Sequence, residues 1–163
     1  MIPRIYLPPG DQQCQVVTLD AEQSHYVSQA LRLRAGEALQ VFDGLGHRRQ
    51  ASMVKPDRKA CQIELGADEK APDRAPVPIT LIQGIAQGDR MDWVVEKAVE
   101  MGVARVLPVQ SSRGQVRLSE DRAIRRVDHW RRVAIAACRQ CGRDDLPDIH
   151  SVQVLDSALE SLA

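Results

Sequence analysis

Nine arginines and no lysine lie from Arg113 to Arg143 (113, 117, 122, 125, 126, 131, 132, 139 and 143), against three acids, Glu120, Asp121 and Asp128, in a chain whose formal charges cancel. A guanidinium is a planar fork that grips phosphate or carboxylate at two points, so the surplus fits a polyanionic partner, nucleic acid before membrane. A solvated helix face whose arginine stems cover apolar neighbours fits it equally. Gln140 and Arg143, three residues apart where the segment ends, can address one small polar ligand from one side. The alternative is an arginine that satisfies the last carbonyls of its helix. Arg113 belongs to the loop leaving a predicted strand, the edge where open α/β sheets place ligands, or is a plain surface arginine. Lys97 and Glu100, with Glu96 beside them, share a helix face and read as a surface ion pair worth ~0.3 kcal/mol. Gln83 and Gly84 close a predicted strand, where the amide can meet RNA or a partner subunit, or satisfy the strand's own backbone.

Cys138-x-x-Cys141 puts two sulfurs on one helical face, which opens a redox or zinc reading. Zinc needs four ligands and no second pair lies nearby, while buried free cysteine is common packing. His25, His47, His129 and His150 have no ligand spacing, so no metal is expected.

These residues need elements to hold them. Ile79–Ile85 is a nearly continuous apolar run of the kind buried on both faces of a parallel sheet. Asp89, with Asp92 three residues on, caps a predicted helix whose Met91, Val94, Val95, Ala98 and Met101 form a stripe, with Gly102 as its left-handed exit. Val103–Val109 follows as the next strand, giving a right-handed βαβ unit. Ser119 opens the arginine helix, whose Val127, Trp130, Ala134, Ala137 and Cys141 face inward until Pro147 stops it. A short strand around Ile149–Val154 precedes a helix capped by Asp156.

Upstream, alternating runs at Arg4–Leu7, Gln15–Leu19, Ala38–Phe42, Arg49–Val54 and Ala60–Leu65, punctuated by Pro and Gly, predict a small β-barrel. One helix interrupts it, with Asp20 and Gln23 as a capping box, Val27, Ala30 and Leu31 as its stripe, and Gly36 at its end. Residues 67–78 hold three prolines and five charges, the composition of a linker, so the chain divides into 1–70, a linker at 71–78 and 79–163. Arg4, Arg32, Arg34, Arg48 and Arg49 could form the phosphate-binding edge of the barrel, or scattered surface charge; Arg125, Arg132 and Arg139 are the helix's candidates for RNA.

The composition, 44% hydrophobic and 27% charged over 163 residues, is that of a chain able to bury a core. One Phe, two Trp and two Tyr leave little for base-stacking platforms, so RNA contact must lean on charge and backbone. No apolar run is long enough to span a membrane and no signal-peptide run follows Met1, so the expected compartment is reducing cytoplasm.

Three segments read together carry a resemblance: Gly88-Asp89-Arg90-Met91-Asp92-Trp93 through Lys97-Ala98-Val99-Glu100-Met101-Gly102-Val103, then Pro108 to Arg113, then Trp130 to Ala137-Cys138-Arg139-Gln140-Cys141-Gly142-Arg143 with Pro147 after it. They resemble the RsmE family of ribosomal RNA methyltransferases, and Pro3-Arg4-Ile5-Tyr6, His25 to Arg32 and Phe42-Asp43-Gly44 are similar to that family's PUA-like RNA-binding barrel. The resemblance implies an α+β two-domain chain, the barrel followed by the first half of an α/β SPOUT domain, whose complete form ties a trefoil knot. It implies S-adenosylmethionine as cofactor, N3 of one uridine in 16S ribosomal RNA of the small ribosomal subunit as target, and a homodimer. The Gly-Pro-Glu-Gly-type loop of the family is nowhere in the 163 residues. The expectation is therefore that the C-terminal knot segment is absent, that no cofactor-binding residue can be assigned, and that this chain alone is inactive. A non-catalytic RNA-binding module is the rival.

The implied reaction needs an in-line approach, loss of the N3 proton and stabilisation of charge spreading onto the flanking carbonyl oxygens, which a fixed guanidinium does well. N3 lies on the Watson–Crick edge, so the base must be unpaired first, a cost met by backbone contacts. Arg143, Gln140 and Arg113 are the residues expected to carry the chemistry.

Overall fold

The computed structural model describes residues 2–70, 77–111 and 117–162, and the chain forms two compact units, Met1–Pro72 and Asp73–Ala163. The first unit is a five-stranded sheet of β1 (Arg4–Tyr6), β2 (Val16–Thr18), β3 (Ala38–Phe42), β4 (His47–Lys55) and β5 (Gln62–Lys70). Their spatial order is β1-β3-β4-β5-β2, with β1 parallel to β3 and all other pairs antiparallel. Alternation decides the faces: Leu39 and Val41, Ala51 and Met53, Ile63 and Leu65 point to one core. Ile5 and Val17, from the two edge strands, join the same core, so the sheet is curled around it. Among the described residues β1 and β2 do not pair with each other, so the expected barrel is a curled sheet, open along that seam. A register shift in β4 between Arg49 and Ala51 brings the Gln50 carbonyl to 2.9 Å from where a Cβ on Gly66 would stand, a space only glycine leaves.

The interrupting helix, α1, is shorter than its stripe predicts. It spans Ala21–His25 and passes into one wider π turn, Tyr26–Ala30. Asp20 accepts the Gln23 N–H at 2.7 Å, but the reciprocal half of the capping box is not made. The Gln23 amide instead donates to the Tyr6 carbonyl and ties β1 to the helix.

The second unit has a parallel sheet of β6 (Thr80–Gly84), β7 (Arg105–Val109) and β8 (Asp148–Ile149), in that order, with α2 (Arg90–Glu100) as the crossover between β6 and β7. β7 is central and buried along Val106–Val109, whereas β6, expected to be buried on both faces, is a half-buried edge among the described residues. Its apolar run lacks a second neighbouring strand here. The long helix α3 (Glu120–Cys141) buries Val127, Trp130, Ala134, Ala137 and Cys138, so Cys138 takes the inward place expected of Cys141. Against it α2 presents Met91, Val95, Ala98 and Val99; Met101, placed by the sequence reading on the inner stripe, is 79% exposed. The last helix, α4 (Leu155–Glu160), lays Ala158 on Leu107 and Val109.

Three expected caps take another form. Asp89 makes no side-chain cap, and its intended partner Asp92 pairs with His129 at 2.7 Å. Asp156 lies within the first turn of α4, whose cap position is Val154. Gly142, at φ 77°, ends α3 by returning its N–H to the Cys138 carbonyl, five residues before Pro147.

Candidate nucleic-acid interface

The carboxyl edge of the parallel sheet is stitched by three hydrogen bonds that fix the segments above it. Ile85 N–H donates to the Val109 carbonyl at 3.0 Å, Gln110 N–H to the Gln153 carbonyl at 2.8 Å, and Leu118 N–H to the Gln110 side-chain oxygen at 2.8 Å. The last bond brings the residues preceding α3 onto the strand ends. A cleft of about 270 Å³ results, walled by Arg117, Leu118, Arg122, Arg126 and Trp130 on one side and by residues 85–88 and Met91 on the other. Trp130 is 1% exposed, and its indole N–H finds no acceptor among the described residues. A buried donor left unpaired costs the desolvation of that group.

Arg122 and Arg126 also wall a neighbouring cleft with Leu118, Arg125 and His129. Arg122, Arg125 and Arg126 are exposed and have no acidic partner among the described residues. Spaced three and four apart on one face, they repel one another, which costs an isolated helix about 0.2–0.5 kcal/mol per pair. His129 continues the row and is held by Asp92 from α2. These positions belong to the arginine run recognised in the sequence: Arg122, Arg126 and Trp130 share a face of α3 by helical spacing, and the Gln110 anchor adds Arg117 and Leu118 to them. The local signal is a row of arginines at helical spacing that outnumber the acids beside them.

Of the residues expected to carry the chemistry, Arg143 and Gln140 differ in burial. Arg143 is 2% exposed, and its guanidinium donates to the Asp145 carboxylate at 3.0 and 2.7 Å and to the Val99 carbonyl at 3.2 Å. Gln140 is exposed, because Gly142 reverses the chain between them. The paired reading fails on that turn: Arg143 is directed into the α2–α3 packing and clamps the end of α2. Arg113 lies outside the described residues. Arg132 is exposed, Arg139 half-buried, and Arg131 is engaged with Asp128 and the Ile149 carbonyl, both at 3.3 Å. Lys97 bridges Glu96 at 3.0 Å and Glu100 at 2.9 Å, and those two carboxylates, Glu100 foremost, raise its pKa. Gln83 donates to the Gly84 carbonyl at 2.8 Å and so serves its own backbone. The Cys138 thiol is buried and donates to the Asp145 carbonyl.

In the first unit, Arg4 stacks over the Phe42 ring at 5.1 Å, and Tyr6 meets the same ring at 5.5 Å. Burial, with Asp43 and Asp11 nearby, pushes the Tyr6 hydroxyl above its ordinary pKa. Arg48 lies 3.5 Å from Glu69, Arg49 donates to the Gln12 carbonyl, and Arg32 and Arg34 are exposed. Among the described residues no cluster could hold a metal ion, and no helix is long and apolar enough to cross a membrane.

Comparison with known proteins follows the same division. Residues 73–163 match the RNA methyltransferase domain model and residues 19–66 the RNA methyltransferase PUA domain model. The chain is 28% identical over 148 residues to ribosomal RNA small subunit methyltransferase E of Buchnera aphidicola subsp. Acyrthosiphon pisum, covering 91% of this chain and 58% of that protein. With the Bacillus subtilis protein of the same name it shares 24% over 149 residues, 88% of this chain and 57% of the other. The chain thus spans somewhat over half the length of these relatives. The crystal structure of a ribosomal RNA small subunit methyltransferase E from Neisseria gonorrhoeae bound to S-adenosyl methionine superimposes with a TM-score of 0.92 at 34% identity, over 100% of this chain and 67% of that one. The curled PUA-like sheet, the α/β unit and the sequence matches over both agree: the chain belongs to the RsmE family of ribosomal RNA small subunit methyltransferases.

Proposed function

We propose that the whole protein methylates N3 of a uridine in 16S ribosomal RNA with S-adenosylmethionine as donor, and that the arginine row of α3 with the cleft beside it receives the RNA. One observation carries this reading: Arg117, Arg122 and Arg126 wall one cleft at the carboxyl edge of a parallel sheet. Guanidinium groups there neutralise phosphate. Arg125, Arg132 and Arg139 extend the same helix for backbone contacts, and Gln140 and Arg113 stay candidates at the site's margin. Arg143 serves the fold by clamping the end of α2. The βαβ arrangement with parallel strands supports reading the second unit as the first half of a SPOUT domain, and membership in the family supports a homodimer working in the cytoplasm on the small ribosomal subunit.

The residues of the cleft do not fit the methyl donor. A sulfonium is a cation, and a wall of three guanidiniums favours anions. No described residue is therefore assigned to S-adenosylmethionine, and the cleft's part is to bind and orient the RNA.

The test is methyl transfer by the whole protein to 16S RNA, with the product nucleoside identified by mass spectrometry. N3-methyluridine is expected, and Arg122→Ala with Arg126→Ala should raise the KM for RNA about tenfold or more. A wild-type protein yielding no methyluridine, or one methylated at another atom, overturns the assignment.

A further inference from the structure

The five arginines that the sequence marks in the first unit divide between opposite ends of its sheet. At the end holding the β3–β4 hairpin, charges are matched: Arg48 faces Glu69 at 3.5 Å and His47 faces Asp68 at 3.2 Å. At the other end stand Arg32 and Arg34 before β3, Lys55 at the end of β4, and Arg58 and Lys59 in the connection from β4 to β5, and all five are exposed. The two segments lie side by side, because Gly36 N–H donates to the Met53 carbonyl at 2.7 Å and Met53 N–H to the Glu37 carbonyl at 2.9 Å. Arg58 reaches back to the Gln29 side chain at 3.3 Å.

Two acids stand among these five cations, and both are engaged with backbone. Glu37 accepts the Arg34 N–H at 2.8 Å; Asp57 accepts the N–H groups of Lys59 and Ala60 at 2.8 and 3.1 Å. The surface therefore keeps a surplus of three positive charges on segments that are already ordered. The β4–β5 connection is pinned from below by Cys61, whose buried thiol donates to the Asp57 carbonyl at 2.8 Å and whose N–H donates to the Ser24 hydroxyl at 2.9 Å. Arg32 has φ 56°, a left-handed conformation where glycine would be unstrained and arginine stands instead. A net positive surface on a backbone already pinned suits a flexible polyanion, since little loop freedom is left to lose on binding.

We infer that this end of the sheet, formed by Arg32, Arg34, Lys55, Arg58 and Lys59, is the surface on which the PUA-like unit takes the phosphate backbone of single-stranded RNA. The inference rests on the reading that RNA is the substrate, and it names a docking surface that the hairpin-end arginines do not share.

The test titrates the 163-residue chain against a labelled single-stranded oligoribonucleotide from low to moderate salt. Arg34→Ala with Lys55→Ala and Arg58→Ala should weaken binding at low salt and flatten the log–log slope by about 2, at about 0.7 per lost phosphate contact. Arg34→Lys with Arg58→Lys should keep the wild-type slope, since the charge is retained. An unchanged slope in the triple alanine variant overturns the proposal. So does weaker binding at constant slope, which would report a disturbed loop, and an acidic protein as the true occupant would leave RNA binding unmoved. In the whole protein the triple variant should raise the KM for RNA at constant kcat. Should the wild type transfer no methyl group, the proposed activity falls, while the slope still decides this surface.

Discussion

The two ends of α3 carry the same residue type and use it in opposite ways. Near the N-terminus Arg122, Arg125 and Arg126 stand exposed, close enough to repel one another, and form no ion pair among the described residues. Just past the C-terminus Arg143 is buried, its guanidinium filled by Asp145 and the Val99 carbonyl. The difference lies in what the chain places beside each arginine. Asp144 and Asp145 follow Arg143 directly, and the left-handed turn at Gly142 aims the side chain inward. The exposed row has only Glu120 and Asp121, one turn earlier, and Asp128, which Arg131 takes. An arginine whose donors are saturated within the fold holds structure together; one left unsaturated at a cost to its own helix is available to a ligand.

Arg143→Ala tests the structural end most severely. It removes the bonds to Asp145 and the Val99 carbonyl and should lower stability by about 2–3 kcal/mol, read from urea denaturation. A variant as stable as wild type would mean that the clamp is idle. Gly142→Ala comes next, since an L side chain in the left-handed region costs about 1–2 kcal/mol, and the turn that separates Gln140 from Arg143 depends on that conformation. The smallest effect has the opposite sign: Arg122→Ala with Arg126→Ala should raise the stability of the RNA-free chain by about 0.2–0.5 kcal/mol for the repelling pair removed. Destabilisation instead would place those arginines on the structural side of the contrast.

Much of the architecture was legible because it follows from local pattern. Strand alternation marked β3 at Ala38–Phe42, and the structure turns Leu39 and Val41 of that run into the core. Helical spacing marked Val127, Trp130, Ala134 and Ala137 as the inner face of α3. Misreadings arose where a residue had two partners to choose from. Asp92 could cap its own helix or pair with His129 across to α3, and the tertiary contact won. Gln23 could complete a capping box or bond the Tyr6 carbonyl, and the bond to β1 was made. Met101 continued the stripe of α2 by period alone, yet it lies beyond the helix's last residue, Glu100, and stays exposed.

The sequence by itself determined the two kinds of sheet, the helix that carries the arginines, and the excess of cationic groups, because hydrophobic period and charge are properties of neighbours along the chain. Which arginines serve a ligand was decided only by the tertiary structure. That choice depends on distances between segments far apart in sequence, such as Gln110 holding Leu118 at the strand ends and Val99 receiving Arg143, and a guanidinium's use is set by the oxygens that reach it in space.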